Sequence, residues 1–177
     1  MMKRTVAVLL AVFLLSGCTF SGSRINEPVS FYYQRTASDS QSYDDYFSEG
    51  IIGSEEREAS GHQDNLSYLL TVYLRGPLSP EFISPFPMGC RIVEIHHQDT
   101  ALTVRLNPIL AEKSDLEITI ACACLAKTCM ELTDVDTVQI EARNLDGKIL
   151  FSRILTRDNL FLRDDYTLPT EGTEITP

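Results

Sequence analysis

The sequence predicts an α+β fold in which two helices pack on one face of a mixed or antiparallel sheet, in the order β-β-α-β-β-α-β-β. Two observations lead to this prediction. Four short stretches are apolar at alternate positions, which is typical of strands with one buried face, and two further stretches are strand candidates without that pattern. Two longer stretches repeat apolar residues at a spacing of three and four, which is typical of helices lying on a core.

Residues 1–17 have the organisation of an export signal. Lys3 and Arg4 precede an apolar run of about ten residues, which is too short for a membrane-spanning helix of roughly 20. The run ends in Leu-Ser-Gly-Cys at residues 15–18, which resembles the lipobox of bacterial lipoproteins. In that motif the thiol is acylated and cleavage occurs just before it, so Cys18 is the predicted lipidation site and mature N-terminus. Two acyl chains suffice for stable membrane anchoring.

Residues 18–28 form the predicted tether, and two strand candidates follow it. Residues 29–34 place Val29, Phe31 and Tyr33 on one side, as a strand does. Residues 51–59 are a weaker candidate, polar enough to lie at a sheet edge. The Ser-, Asp- and Gln-rich stretch between them is predicted to be a loop.

The first helix is predicted to begin at Asp64 or Asn65, either of which suits the N-cap position, and to end at Gly76-Pro77. Its apolar residues fall on one helical face: Leu66, Leu69, Leu70, Tyr73 and Leu74. Residues 77–89 contain four prolines and are predicted to form a constrained loop.

A strand pair follows this loop. Residues 91–97 are expected to place Val93 and Ile95 on one face. Residues 101–106 alternate in the same way, with three residues predicted to point inward: Leu102, Val104 and Leu106.

The second helix is predicted over about residues 113–132. Ser114 and Glu117 resemble a capping box, which satisfies two backbone N–H groups at the helix start. One stripe is predicted to face the core: Ile118, Cys122, Leu125, Cys129 and Leu132. Strands at 135–142 and 148–154 then follow around an Asp-Gly turn, with three inward residues in the first of them: Val138, Ile140 and Ala142.

The charge of the chain excludes some classes of partner. The formal net charge is −10, and cleavage before Cys18 leaves 13 basic and 25 acidic residues, a formal charge of −12. Such a chain repels nucleic acid and anionic lipid head groups. We therefore expect no nucleic-acid partner.

Four cysteines remain beside the predicted lipidation site: Cys90, Cys122, Cys124 and Cys129. The last three lie in one predicted helix, where their spacing suits no disulfide among them. A bridge from Cys90 to one of them is open, but small apolar core cysteines are the favoured interpretation. A zinc site is disfavoured because Cys-x-Cys-x4-Cys is not a standard ligand spacing.

No catalytic, metal or cofactor site is predicted. His96 and His97 are adjacent on a strand, so they point to opposite faces, one expected to be half-buried and the other exposed. Cys124 lies off the apolar stripe and is the one mild candidate for a reactive thiol. Asp44-Asp45 and Asp164-Asp165 are predicted to be solvated loop residues.

Aromatic residues crowd the N-terminal third of the mature chain. One interpretation is a strand with a loop packed on it, and the other is a contact surface for a protein or glycan partner. The candidate residues of that surface are Tyr32, Tyr33, Tyr43, Tyr46 and Phe47.

Several segments, in order, resemble the GerMN domain of sporulation and germination lipoproteins over about residues 29–155. They are Glu55–Glu58, Leu70–Pro77, Pro87–Cys90, Val104–Asn107 and Asp134–Val138. Arg105 departs from the Asp usual in the family at that position. The resemblance implies a domain similar to the ring-building motifs of secretion machines, with no catalytic activity attached to it.

We therefore expect a GerMN-like domain at 29–165 and a disordered tail at 166–177. The expected protein is a non-enzymatic lipoprotein on the extracytoplasmic face of the cell membrane that helps to assemble an envelope or sporulation complex. Its expected partners are the membrane, through Cys18, and envelope or sporulation proteins, with self-association also open. The alternative is a binding lipoprotein for wall glycan or a small ligand.

Overall fold

The computed structural model describes residues 28–36 and 50–160. Within them lie two α-helices, α1 (Leu66–Tyr73) and α2 (Asp115–Leu132), and a 3₁₀ turn at Pro108–Glu112. The strands are β1 (Pro28–Arg35), β2 (Ile52–Glu58), β3 (Phe82–Ile83), β4 (Ile92–Gln98), β5 (Ala101–Leu106), β6 (Thr137–Arg143) and β7 (Ile149–Thr156). The α+β class and the order of the predicted elements are confirmed, with the short β3 added. The predicted signal peptide, tether and tail lie outside the described residues, apart from the first strand residue, Pro28.

The strands divide between two sheets, where the sequence led us to expect one. The first sheet has the order β2-β1-β3 and is antiparallel. The second has the order β4-β5-β6-β7, in which β5 and β6 are parallel because α2 connects them as a crossover. The other pairs of this sheet are antiparallel.

Side chains from the helices occupy the edge of β1 that would otherwise pair with another strand. The N–H of Tyr32 donates to Thr128 Oγ1 of α2 at 3.0 Å. The carbonyl of Tyr32 accepts from Tyr73 Oη of α1 at 2.8 Å. Backbone groups of a strand must find partners when they are shielded from water. Helical side chains supply those partners here, and the first sheet therefore stays separate from the second.

The helix α2 is buried on more than one face because it contacts β1 of the first sheet and β6 and β7 of the second. The predicted stripe is confirmed, since Ile118, Cys122, Leu125 and Cys129 are buried and Leu132 is partly buried against the core. Cys124 lies off that stripe, as predicted, but it is buried too. Its side chain has no exposed surface, because the face of α2 toward β1 is covered as well.

Both helix starts follow the prediction. Asn65 caps α1, and its side chain accepts from the N–H of Tyr68 at 3.0 Å. Ser114 and Glu117 form the capping box of α2, with each side chain bonded to the other's backbone N–H. In β5 and β6 the residues predicted to point inward are buried.

Two local features differ from the prediction. The proline-rich loop contributes β3, in which Arg35 of β1 pairs with Phe82. In β4 the register shifts between Ile92 and Glu94, so Val93 is an extra residue and is 58% exposed instead of facing the core. Ile92 and Ile95 are the residues of this strand that pack against the core.

A buried carboxylate joins β2 to the loop after α1. Glu55 accepts from the N–H groups of Leu78 and Ser79, each at 3.0 Å, and from Arg57 Nε at 2.5 Å. Arg57 in turn donates to the carbonyl of Gly76 at 2.7 Å. Burial alone would raise the pKa of Glu55, but these donors outweigh it and hold the pKa below its usual value. The loop is thereby fixed to the first sheet.

No helix in the described part of the chain is long and apolar enough to cross a membrane.

Replacing Tyr73 with Phe tests the link between α1 and β1. The variant leaves the Tyr32 carbonyl without its donor, so we expect the free energy of unfolding to fall by about 1 kcal/mol in urea denaturation. Tyr68→Phe, at a partly exposed position of the same helix, is the control and should change stability by less than about 0.5 kcal/mol. Equal stability of the two variants would contradict this role of Tyr73.

Candidate functional site: the outer face of the second sheet

The four-stranded sheet has one face on the core and one face that no described helix or strand covers. The inward residues of β5 and β6 are buried, so their neighbours along each strand point to the opposite side. We call this side the outer face, and it is lined by Glu94, His96, Thr103, Arg105, Gln139, Glu141 and Arg143. Its composition is polar, in contrast to the apolar core face.

A row of charged side chains crosses the outer face from strand to strand. The strand register places Glu94, Arg105 and Glu141 side by side on β4, β5 and β6. Arg105 donates from Nε to Glu141 at 2.9 Å and pairs with Glu94 through Nη1. Arg143 donates to both carboxylate oxygens of Glu141, at 2.9 and 3.2 Å. The four charges are thus paired within the sheet.

Glu141 is the centre of this network and is only 2% exposed although it lies on an uncovered face. The bonds from Arg143 lower the pKa of its carboxyl group, burial opposes them, and Arg105 adds to the lowering. Glu141 is therefore held as a carboxylate. Because both arginines are fixed by it, the network presents a preorganised polar surface.

A second row of polar groups lies beside the charged one. The register places His96, Thr103 and Gln139 side by side, and Gln139 Nε2 donates to Ser152 Oγ at 3.1 Å. The two rows form the floor of a shallow cleft of about 360 Å³. Its imidazole, hydroxyl, amide and guanidinium groups are donors and acceptors suited to a polar partner surface or a small polar ligand.

The predicted aromatic surface is only partly described, and one of its members is misplaced. Tyr33 is fully buried, so its assignment to a partner surface is wrong: its ring stacks on Tyr73 at 4.8 Å and its hydroxyl donates to the Tyr73 carbonyl at 2.9 Å. Tyr32 is half-buried beneath Lys127, whose Nζ lies 4.7 Å from the ring centroid. Tyr43, Tyr46 and Phe47 lie outside the described residues, as does Cys18.

The histidine pair differs from the prediction as well. His96 and His97 are both exposed, because β4 is an edge strand and neither face is closed around it there. They pair with Thr103 and Leu102, respectively, which places them on opposite faces as predicted. In the described residues no three His, Cys, Asp or Glu side chains are grouped to hold a metal ion.

The four cysteines described by the structure are free thiols, and all are buried. Burial raises the pKa of Cys90 and Cys122 to about 12 and also raises that of Cys124 and Cys129. Since the thiolate is the reactive form, Cys124 does not fit the role of a reactive thiol.

Reasoning from the sequence missed Glu141, Arg143 and Glu94 as site residues. The available signal was a charged residue between two inward residues of β6, Ile140 and Ala142, followed by Arg143 on the same face. Arg105 could be singled out only as a departure from the GerMN pattern. Its partners become visible once the parallel register of β5 and β6 is known.

The geometry defines a two-sheet α+β domain with an uncovered polar sheet face. In structure it is similar to the tandem GerMN domains of the sporulation protein GerM from Bacillus subtilis, with a TM-score of 0.49 and 16% identity over 80% of this chain and 48% of that one. The chain thus spans about half the length of that protein. It is also similar to a protein from Clostridium perfringens described as a lipoprotein, with a TM-score of 0.45 and 14% identity over 82% of this chain and 97% of that one. No family model and no curated protein sequence matches the chain. Likeness at this level assigns neither a family nor a role.

Replacing Glu141 with Gln tests the network. The variant leaves two arginines without a carboxylate, so we expect a loss of about 1–3 kcal/mol in the free energy of unfolding at pH 7. The folded-state pKa of Glu141 is lowered, so its contribution is present above the ordinary carboxyl pKa of about 4.3 and is lost as the pH falls through the lower value. The difference in the free energy of unfolding between wild type and variant should therefore shrink below about pH 4.

The control is Glu94→Gln, which changes a half-exposed partner of Arg105 and should lower the free energy of unfolding by less. A difference that does not depend on pH would contradict the charged state of Glu141.

Thiol labelling tests the burial of the cysteines. In native protein at pH 8 we expect iodoacetamide to modify Cys90, Cys122, Cys124 and Cys129 far more slowly than in protein unfolded by guanidinium chloride. Mass spectrometry of the labelled peptides gives the rate at each site. Prompt labelling of Cys124 in the native protein would contradict its place between α2 and the first sheet.

Proposed function

We propose that this chain is a non-enzymatic lipoprotein, anchored through Cys18 on the extracytoplasmic face of the cell membrane, whose domain is a binding module in the assembly of an envelope or sporulation complex. The outer face of the second sheet is the proposed contact surface. The observation that carries the proposal is the uncovered polar network centred on Glu141.

The outer face has the properties of a recognition surface. Glu94, Glu141, Arg105 and Arg143 are paired with each other and held on strands, so a partner meets charges whose positions are already fixed. Such surfaces favour specificity, because a partner must match the arrangement of donors and acceptors. Preorganisation also lowers the entropy lost on binding.

The chemistry of the described residues supports binding over catalysis. The thiols have raised pKa values, and Glu141 is held ionised by two arginines and so is not poised to exchange protons near neutral pH. The lipobox-like sequence at residues 15–18 supports a membrane anchor.

The adjacent histidines offer a matched test of the contact surface. Both are exposed on β4, but His96 lines the outer face and His97 points to the opposite side. We expect His96→Glu to reduce the recovery of crosslinked partners from cells by at least about fivefold, and His97→Glu to leave it unchanged. Mass spectrometry of proteins crosslinked to the tagged lipoprotein, during growth and during sporulation, provides the measurement.

Cys18→Ser is the control for anchoring. It should abolish the incorporation of labelled palmitate into the protein while leaving the stability of the domain unchanged. Equal partner recovery with His96→Glu and His97→Glu would contradict the assignment of the outer face as the contact surface. Equal incorporation of labelled palmitate into Cys18→Ser and wild type would contradict Cys18 as the lipidation site.

The shallow cleft supports a second candidate, a binding lipoprotein for wall glycan or another small polar ligand. Its volume of about 360 Å³ and its hydroxyl, amide and imidazole groups suit such a ligand. This function predicts a saturable rise in melting temperature with soluble wall fragments, which His96→Glu weakens and His97→Glu does not. No shift at millimolar fragment would reject it.

A further inference from the structure

The strand β7 forms an edge of the second sheet, and β6 is its only strand neighbour among the described residues. An edge strand presents unpaired N–H and C=O groups that can pair with another extended chain. From Phe151 to Thr156 the pairing of β7 with β6 is regular, so the opposite side of this stretch offers a regular row of backbone groups. The geometry of β7 is thus suited to the addition of a strand.

All three long edges carry charge, and two of them an irregularity, but they differ in the sign of that charge. On β2, Glu56 and Glu58 are exposed acidic residues. On β4 the bulge at Val93 interrupts the register, and Glu94 follows it. In β7 the irregularity lies at its start, near Leu150, and the charged residue of the strand is the basic Arg153. Because charge on an edge opposes a strand of like charge, β7 is the edge of the three that is suited to an acidic segment.

Apolar side chains are exposed along the same edge. Ile154 is 60% exposed, and Ile149 and Leu150 are also exposed. Arg153 Nη2 lies 3.4 Å from Asp115 Oδ1, which brings the start of α2 to this edge. The next residue of α2, Leu116, is 70% exposed. A bound strand would cover apolar surface as well as pair with the backbone.

The charges at this edge indicate which kind of segment would bind. Residues 148–157 contain Lys148, Arg153 and Arg157 and no acidic residue, in a chain of net charge −10. Arg153 and Arg157 each reach one exposed carboxylate, at 3.4 and 3.5 Å, and each also donates to a backbone carbonyl at 3.2 Å. A guanidinium has five N–H groups, so donors remain on both for a further acceptor. Lys148 has no ion pair within the described residues.

We propose that the edge of β7 binds an extended segment of a partner protein in which acidic and apolar residues alternate, and that this segment adds to the sheet as a fifth strand. The alternation follows from the register, because Ile154 pairs with Gln139 on the outer face and Arg153 pairs with Ile140 on the core side. Apolar residues of the segment lie beside Ile154, and acidic residues lie beside Arg153. Like charges at Arg153 and Arg157 disfavour a second copy of β7 as the occupant.

Hydrogen–deuterium exchange on the full-length lipoprotein in detergent tests this proposal. The probe is a synthetic eight-residue peptide of alternating glutamate and valine. We expect it to slow exchange in residues 149–156 and not in β2 or β4. A peptide of alternating lysine and valine keeps the apolar residues and reverses the charge, and should give no protection. Proline at alternate positions removes backbone donors and should also abolish the effect.

A charge-matched pair of variants separates β7 from the overall charge of the protein. Lys148→Glu lies at the proposed edge, and Arg91→Glu makes the same charge change at an exposed residue just before β4. We expect Lys148→Glu to raise the peptide concentration for half-maximal protection by about fivefold, and Arg91→Glu by less than about twofold.

The proposal would be overturned by protection centred on β2 or β4, by equal protection from the lysine peptide, or by protection that appears only after residues 161–177 are deleted. The last would identify the chain's own C-terminal segment as the occupant. Concentration-dependent dimerisation that protects β7 without any peptide would overturn it in favour of a second copy. His96→Glu should leave peptide protection at β7 unchanged, so failure of the outer face and failure of the β7 edge are distinguishable.

Discussion

The architecture depends on how the edge of β1 is satisfied. Tyr73 and Thr128, from two different helices, bond to the carbonyl and the N–H of the same residue, Tyr32. Because these bonds take the place of a strand beside Tyr32, only the short β3 pairs with that edge of β1, and α2 packs between the two sheets. The ring of Tyr73 also stacks on Tyr33, so a hydrogen bond and an aromatic contact hold the same junction. The separation of the sheets in turn leaves β4–β7 as a unit with its own uncovered face.

Much of the fold could be predicted because local patterns and local chemistry agree. The capping box of Ser114 and Glu117, the N-cap of Asn65 and the alternation in β5 and β6 each depend on residues close in sequence. The two-sheet arrangement could not be predicted in this way. It depends on Thr128 and Tyr73 meeting a strand about 96 and 41 residues away, which no periodicity records. The second covered face of α2, on which Cys124 lies, could not be predicted for the same reason, since a one-stripe pattern assumes that a helix has one covered face.

The candidate site depended even more on long-range register. Arg105 and Glu141 are 36 residues apart and become neighbours only because β5 and β6 run parallel in a particular alignment. The aromatic cluster was visible in the sequence because its members are close together, but the strand period that aligns Tyr33 with Phe31 already argued for its burial. Where the aromatic interpretation and the strand pattern disagreed over Tyr33, the strand pattern was the better guide.

The burial of α2 between two sheets has a consequence for how the chain reaches its native state. The small side chains of Ala121, Cys122, Cys124 and Ala126 let both sheets approach the helix. Once α2 has formed, Cys122, Cys124 and Cys129 are spaced along it in a way that suits no bridge among them. In the oxidising compartment proposed for this protein, a disulfide among these three would therefore fix a non-native chain. For a chain exported to such a compartment, folding would compete with oxidation until the helix and both sheets bury the thiols.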